Sequence, residues 1–153
     1  MKRTEELEIF LKSLNDNPSF EGVDFTDINA TNSEGENALH MSISQENINI
    51  AQELIELGIY VNARGDLGRT PLHEAASRGN IELVKLLVEN GADLFALDEG
   101  VPPFTLARYS KNDNICDYLG EKMKIAQTAD RSVWKKAEIS HLEREIKRLK
   151  GLL

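Results

Sequence analysis

The sequence predicts an all-helical repeat array, a solenoid of stacked helix-turn-helix units joined by hairpin loops, with one more helix at its C-terminal end. Three observations carry this. The first is a period. Ala30, Ala63 and Ala96 lie 33 residues apart, in Asn29-Ala30, Asn62-Ala63 and Phe95-Ala96, and Gly35/Gly68, Leu39-His40/Leu72-His73 and Gly58/Gly91 share that spacing. Self-similarity at such a period marks units that stack to bury a shared core. The second is helical patterning: Ile81, Val84, Leu87 and Val88 recur on one face of a helix. The third is punctuation, with Thr70-Pro71 suited to opening a helix, Gly79 to a tight turn, and Gly91 to closing the next helix.

The middle copy, residues 65–97, is the clearest. Thr70 is placed to cap, and Pro71 brings a φ preset for the first turn. Leu72, Ala75 and Ala76 face inward, the small alanines letting a neighbouring helix approach. With TPLH at 70–73, the Ala75-Ala76 pair, Gly79, the LVKLL run and the Gly91-Ala92-Asp93 exit, this copy closely resembles the ankyrin repeat.

The neighbouring copies are looser. In 32–64, Asn37 replaces the capping Thr and is an equally good cap. Ala38 replaces Pro, and Glu46 stands at the place of Gly79, so the turn between helices is expected to be less relaxed or differently shaped. In 98–129, aligning Pro103 with Pro71 requires a shift of 32, one residue fewer in the hairpin before it. There Pro102 replaces the cap, Phe104 the Leu and Thr105 the His, while Ile115, Cys116 and Leu119 continue an apolar face. The resemblance spans about 32–124.

The flanks read as caps. Leu7, Phe10, Leu11 and Leu14 share one face of a helix over 3–14. Residues 1–31 read as a degenerate N-terminal capping repeat whose first helix is missing. Residues 130–153 read as an amphipathic helix, with Ile139, Leu142, Ile146, Leu149 and Leu153 on a short heptad seam and Glu143 four residues before Lys147. Folding back as a cap, self-association as a short coiled coil, and partner binding all fit that segment, and Trp134 could anchor any of them.

Composition narrows the function classes. The chain has 153 residues, 41% hydrophobic and 29% charged, as expected of one ordinary globular domain. No apolar run is long enough to span a bilayer, no secretory signal is visible at the N-terminus, and the lone Cys116 rules out an internal disulfide. A cytoplasmic protein with no membrane association is the expectation. Residues 1–129 carry 11 Lys/Arg against 22 Asp/Glu, and 130–153 carry 7 against 4. An acidic body is a poor phosphate binder, which argues against nucleic acid as partner. A protein with a basic surface is the better complement.

No catalytic constellation is visible. His40 and His73 recur at one repeat position, and with Cys116 and His141 they show no metal-ligand spacing. No phosphate-cradling glycine motif or nucleophile elbow is present. Neither a cofactor nor a metal is expected, and enzyme activity is not.

The resemblance implies a binding face instead. In ankyrin proteins this His ties a helix start to adjacent loops, and hairpin tips with the exposed side of the first helices form a concave face. Carried onto this chain, the tips are Ser33, Glu34 and Glu36, then Asp66, Leu67 and Arg69, then Glu99 and Val101. The helix positions are Met41, Ser44 and Gln45, then Glu74, Ser77 and Arg78, then Leu106, Tyr109 and Ser110. Leu67 is notable as an apolar tip, and Arg69 and Tyr109 as residue types common at hot spots. The function implied is a protein–protein interaction module, monomeric rather than homo-oligomeric. The alternatives are an inhibitor such as a toxin-neutralising immunity protein, and an oligomeric scaffold assembled through the C-terminal helix.

Overall fold

The computed structural model describes residues 2–128 together with Ile139, Ile146 and Lys150. Across residues 2–128 seven α-helices follow one another: α1 Glu5–Asn15, α2 Ala38–Ser44, α3 Ile48–Glu56, α4 Pro71–Arg78, α5 Ile81–Glu89, α6 Pro103–Tyr109 and α7 Asp113–Thr128. Among the described residues there is no β-strand; the chain pairs with itself only at two isolated bridges, Thr31–Asn37 and Asp98–Val101.

The helices form two layers. α2, α4 and α6 pack side by side as one, and α1, α3, α5 and α7 as the other, with α2–α3, α4–α5 and α6–α7 as antiparallel pairs. The layers meet over one core. α4 contributes Leu72, Ala75 and Ala76, and α5 contributes Leu83, Val84, Leu87 and Val88, all buried. Each such leucine or valine stabilises the fold by about 1.5–3 kcal/mol through removal from water. The alanines leave room for α4 to pack closely between α2 and α6.

Helix ends follow the sequence punctuation. α5 closes with Ala92 N–H on Leu87 C=O (3.0 Å) and Gly91 N–H on Val88 C=O (3.2 Å), Gly91 taking φ 88°. α3 closes the same way, Ile59 on Leu54 (3.1 Å) and Gly58 on Ile55 (2.9 Å). This paired pattern satisfies carbonyls that a helix end otherwise leaves bare. Between the helices of each pair sits one residue with left-handed φ: Glu46 at 56°, Gly79 at 82° and Lys111 at 57°. The turn at Glu46 therefore keeps the shape of the glycine turn and is less relaxed for it, because a Cβ disfavours this region.

The shortened third hairpin is also visible. The first two hairpins close Asn32 N–H on Glu36 C=O (2.9 Å) and Gly65 N–H on Arg69 C=O (2.8 Å), whereas the third closes Asp98 N–H on Val101 C=O (3.0 Å), one residue tighter.

At the N-terminus, α1 begins two residues later than the apolar spacing alone suggests and ends one later. Thr4 is its cap, its hydroxyl accepting from Leu7 N–H at 3.2 Å. The Thr4 N–H and hydroxyl both donate to the Glu53 carboxylate (2.7 and 2.6 Å), which pins α1 to α3. No helix of the α2 layer precedes α2 among the described residues. Phe20 and Phe25, both buried with ring centroids 5.9 Å apart, fill the core from the loop after α1. Of the C-terminal seam, Ile139 and Ile146 are helical and about half exposed (52% and 51%). Leu142, Leu149, Leu153, Trp134 and the Glu143–Lys147 pair lie outside the described residues.

Candidate binding face

Two sets of polar side chains, all buried but the half-buried Asn29, tie neighbouring units of the stack together. His40 accepts the Asn37 backbone N–H on Nδ1 (3.2 Å) and lies 3.2 Å from the Arg69 carbonyl through Nε2. His73 repeats this, with Thr70 N–H on Nδ1 (3.2 Å) and Nε2 at 3.0 Å from the Val101 carbonyl. A carbonyl only accepts, so each ring carries its proton on Nε2 and is neutral. Burial pushes the His40 pKa down from 6.5 to about 4, outweighing the bond to Arg69 that favours the charged form. Burial lowers His73 as well. The expected tie between helix start and neighbouring hairpin is therefore present twice, and Thr105 removes it from the third copy.

Asn29 and Asn62 form the second set. Asn29 Oδ1 accepts Tyr60 N–H and Asn62 Oδ1 accepts Asp93 N–H, both at 2.7 Å, while Asn62 Nδ2 donates to Gly91 C=O at 3.0 Å. Their recurrence was legible in the sequence as part of the Asn-Ala period, but their role was not. Phe95 stands at the third place and ends the series.

On this scaffold the expected helix positions fall into three columns running across α2, α4 and α6: Met41, Glu74 and Leu106; Ser44, Ser77 and Tyr109; Gln45, Arg78 and Ser110. None of these residues, nor any of the expected tip residues, is buried. Tyr109 and Leu67 expose 73% and 60% of their surface.

The middle of the face is a polar network. Arg69 donates to Glu74 Oε2 (2.9 Å), to Asp98 Oδ2 (3.1 Å) and to Ser77 Oγ (2.9 Å). Arg78 donates to Glu74 Oε1 and to Ser44 Oγ, the latter at 2.9 Å. The network thus spans all three copies. Half-burial alone would raise the Glu74 pKa, but the bonds from Arg78 and Arg69 win and hold it below its ordinary value. Arg69, singled out in the sequence as a residue type common at hot spots, is committed to neighbours in its own chain. Asp98 escaped sequence reasoning because only the tightened hairpin brings it opposite Arg69.

The other tips differ. Glu34 N–H and Glu36 N–H donate to Asn32 Oδ1 (3.0 and 2.9 Å), and Asn32 Nδ2 donates to the Glu36 carboxylate (3.0 Å). Ser33 is exposed at the same tip, and Val101 contributes its carbonyl to His73.

Chemistry elsewhere resolves into structure. An open cleft lined by residues of 18–24 and 30–33 carries Glu21, Asp24 and Asp27 and no cation among its lining residues. Asp24 and Asp27 accept the N–H groups of Thr26 and Asn29 (2.9 Å each), which shapes their own loop. Burial, then Asp113, pushes the Cys116 thiol up, away from the reactive thiolate. Among the described residues no group of three or more His, Cys, Asp or Glu is arranged to hold a metal ion. Nor is any helix long and apolar enough to cross a membrane.

Helix pairs stacked in two layers, tied copy to copy through hairpins, define a helical repeat scaffold. The chain matches the family model for ankyrin repeats, described as three copies, over residues 5–98 and 62–131, and it belongs to the ankyrin-repeat family. Comparison with curated proteins gives no match. Ankyrin repeats are in general protein–protein interaction modules.

Proposed function

We propose that this chain is a non-enzymatic binding module that presents the face made by its hairpin tips and by α2, α4 and α6 to a partner protein with a basic surface. The observation that carries the reading is the network of Arg69, Glu74, Ser77, Arg78, Asp98 and Ser44, which ties three copies together across that face. A face already ordered loses little side-chain freedom when a partner arrives. The acidic balance of residues 1–129 supports a basic partner. A monomer in the cytoplasm fits the single half-buried Cys116.

Affinity capture from the source cell with the intact chain identifies the partner, and back-binding of the purified partner tests the face. Met41→Arg, Leu67→Asp and Tyr109→Asp together are expected to abolish back-binding. Glu82→Lys and Gln52→Arg, exposed on the other layer, are expected to leave it intact. The reverse pattern would refute the assignment.

A further inference from the structure

Resting on that reading of the face, we infer that binding is concentrated in its C-terminal half: the tips at Asp66–Leu67 and Glu99–Val101 and the Leu106–Tyr109 edge of α6. The occupant is a lysine- or arginine-rich segment of a partner protein that carries an apolar anchor.

The argument begins with what the face has left to offer. Arg69 and Arg78 face Glu74 and Asp98, so the centre is neutralised from within and its strongest donors are occupied. Asp66 and Glu99 form no ion pair with a described residue. They stand exposed on adjacent tips, the second joined to the first by Glu99 N–H on Leu67 C=O at 3.3 Å. Arg64 places one exposed cation beside them, its guanidinium donating to the Leu97 carbonyl at 3.3 Å. The two carboxylates outnumber it, so the paired tips are left net negative and favour lysine and arginine over an acidic peptide or a phosphate backbone.

Apolar surface is concentrated on the same half. Where α2 and α4 present Ser44 and Ser77, α6 presents Tyr109, 73% exposed. One turn earlier α6 presents the half-buried Leu106 where α4 presents Glu74, while Met41 at that place on α2 is half-buried and packs against the core.

Leu67 adds an independent observation. Its φ of 57° and ψ of 13° put a leucine in the left-handed region, followed by Gly68 at φ 90°. A turn with both central residues at positive φ favours Asn-Gly or Gly-Gly. Leucine there costs about 1–2 kcal/mol in backbone strain and leaves 60% of its surface in water. Within the free chain neither cost is repaid by packing. Burial under a partner repays the second. The tip packs close to the next hairpin: Leu67 C=O accepts from Glu99 N–H at 3.3 Å, and a Cβ on Gly68 would come within 2.9 Å of the Leu97 carbonyl. Glu99 at φ 48° before Gly100 repeats the conformation at the next tip. The two strained tips thus present Leu67 and Glu99 side by side, and strain kept at a surface is grounds for a functional hypothesis.

The test uses the full chain and a displayed random-peptide library as probe. Selection is expected to enrich peptides that combine Lys or Arg with Leu, Phe or Trp. Leu67→Asp, Tyr109→Asp and Glu99→Lys, all at exposed positions, should each weaken the enriched peptides about tenfold or more. Met41→Arg and Glu34→Lys, at the opposite end, should change affinity less than about twofold. Enriched peptides that are acidic, or that respond to Met41 and Glu34 but not to the three, overturn this inference and leave the concave-face reading standing. Peptides lost only on Glu82→Lys or Gln52→Arg overturn both, and failure to enrich any peptide sensitive to the three also overturns it. Unchanged melting temperatures of the variants separate lost contacts from lost fold.

Discussion

A histidine ring buried between two copies is neutral because both of its nitrogens are already engaged. Nδ1 of His40 takes the Asn37 N–H, so protonating it would set two donors against each other as well as bury a charge. The unfolded chain binds that proton below its ordinary 6.5, whereas the folded chain resists until about 4. The unfolded state therefore holds more protons between those values. Stability is complete above pH 6.5 and falls as pH drops through the window, by about 3 kcal/mol at most from His40. His73 adds to the loss in the same direction. Melting temperature measured from pH 7.5 to 4 is expected to be flat at the upper end and to decline below 6.5. A His40→Gln variant should start lower and decline less steeply, and parallel curves for the two proteins would contradict this account. The sequence showed His40 and His73 at one repeat position and, through the family resemblance, their structural role. It could not show how deep they lie, since burial depends on which copies stack on either side.

The turn between paired helices shows how an element tolerates imperfect residues. Glu46, Gly79 and Lys111 occupy one conformation although only glycine is at ease in it. The antiparallel packing of α2 on α3 and of α6 on α7 fixes the turn, and the side chain accepts the strain. Glu46→Gly is expected to stabilise the protein by about 0.5–1 kcal/mol, the relief of left-handed strain less the extra freedom glycine gives the unfolded chain. Gly79→Ala should destabilise by about 1 kcal/mol or more, since its Cβ would also meet the Asn112 side-chain oxygen at 2.7 Å. Chemical denaturation of both variants checks the signs. Elements were the most legible scale: α4 and α5 begin and end at the caps, prolines and glycines that mark them. Less legible was the N-terminal cap. Phe20 and Phe25 carry no periodicity, and only the missing first helix gives them a core to fill.

At the scale of the whole molecule, the copies are unequal and the inequality has direction. Histidine ties join the first copy to the second and the second to the third, and asparagine ties join the N-terminal cap to the first copy and the first copy to the second. Phe95 takes the place of the asparagine at the end of the second copy and Thr105 that of the histidine in the third, which also carries the tightened hairpin and Tyr109. The ties therefore run through the first two copies, and the departures from the repeat pattern gather where the proposed contact lies. The proposed face was laid out from the family resemblance carried along the repeat register. The commitment of Arg69 was not legible there, because its partners come from α4 and from the next hairpin.

The central claim is that partner binding covers one layer and its tips. Hydrogen–deuterium exchange of the full chain, free and with its captured partner, tests it most directly. The account predicts slowed exchange at the hairpins 65–69 and 98–101 and along α4 and α6, with α3 and α5 unchanged. Protection confined to α3, α5 and α7, with the hairpins exchanging as in the free chain, would contradict it.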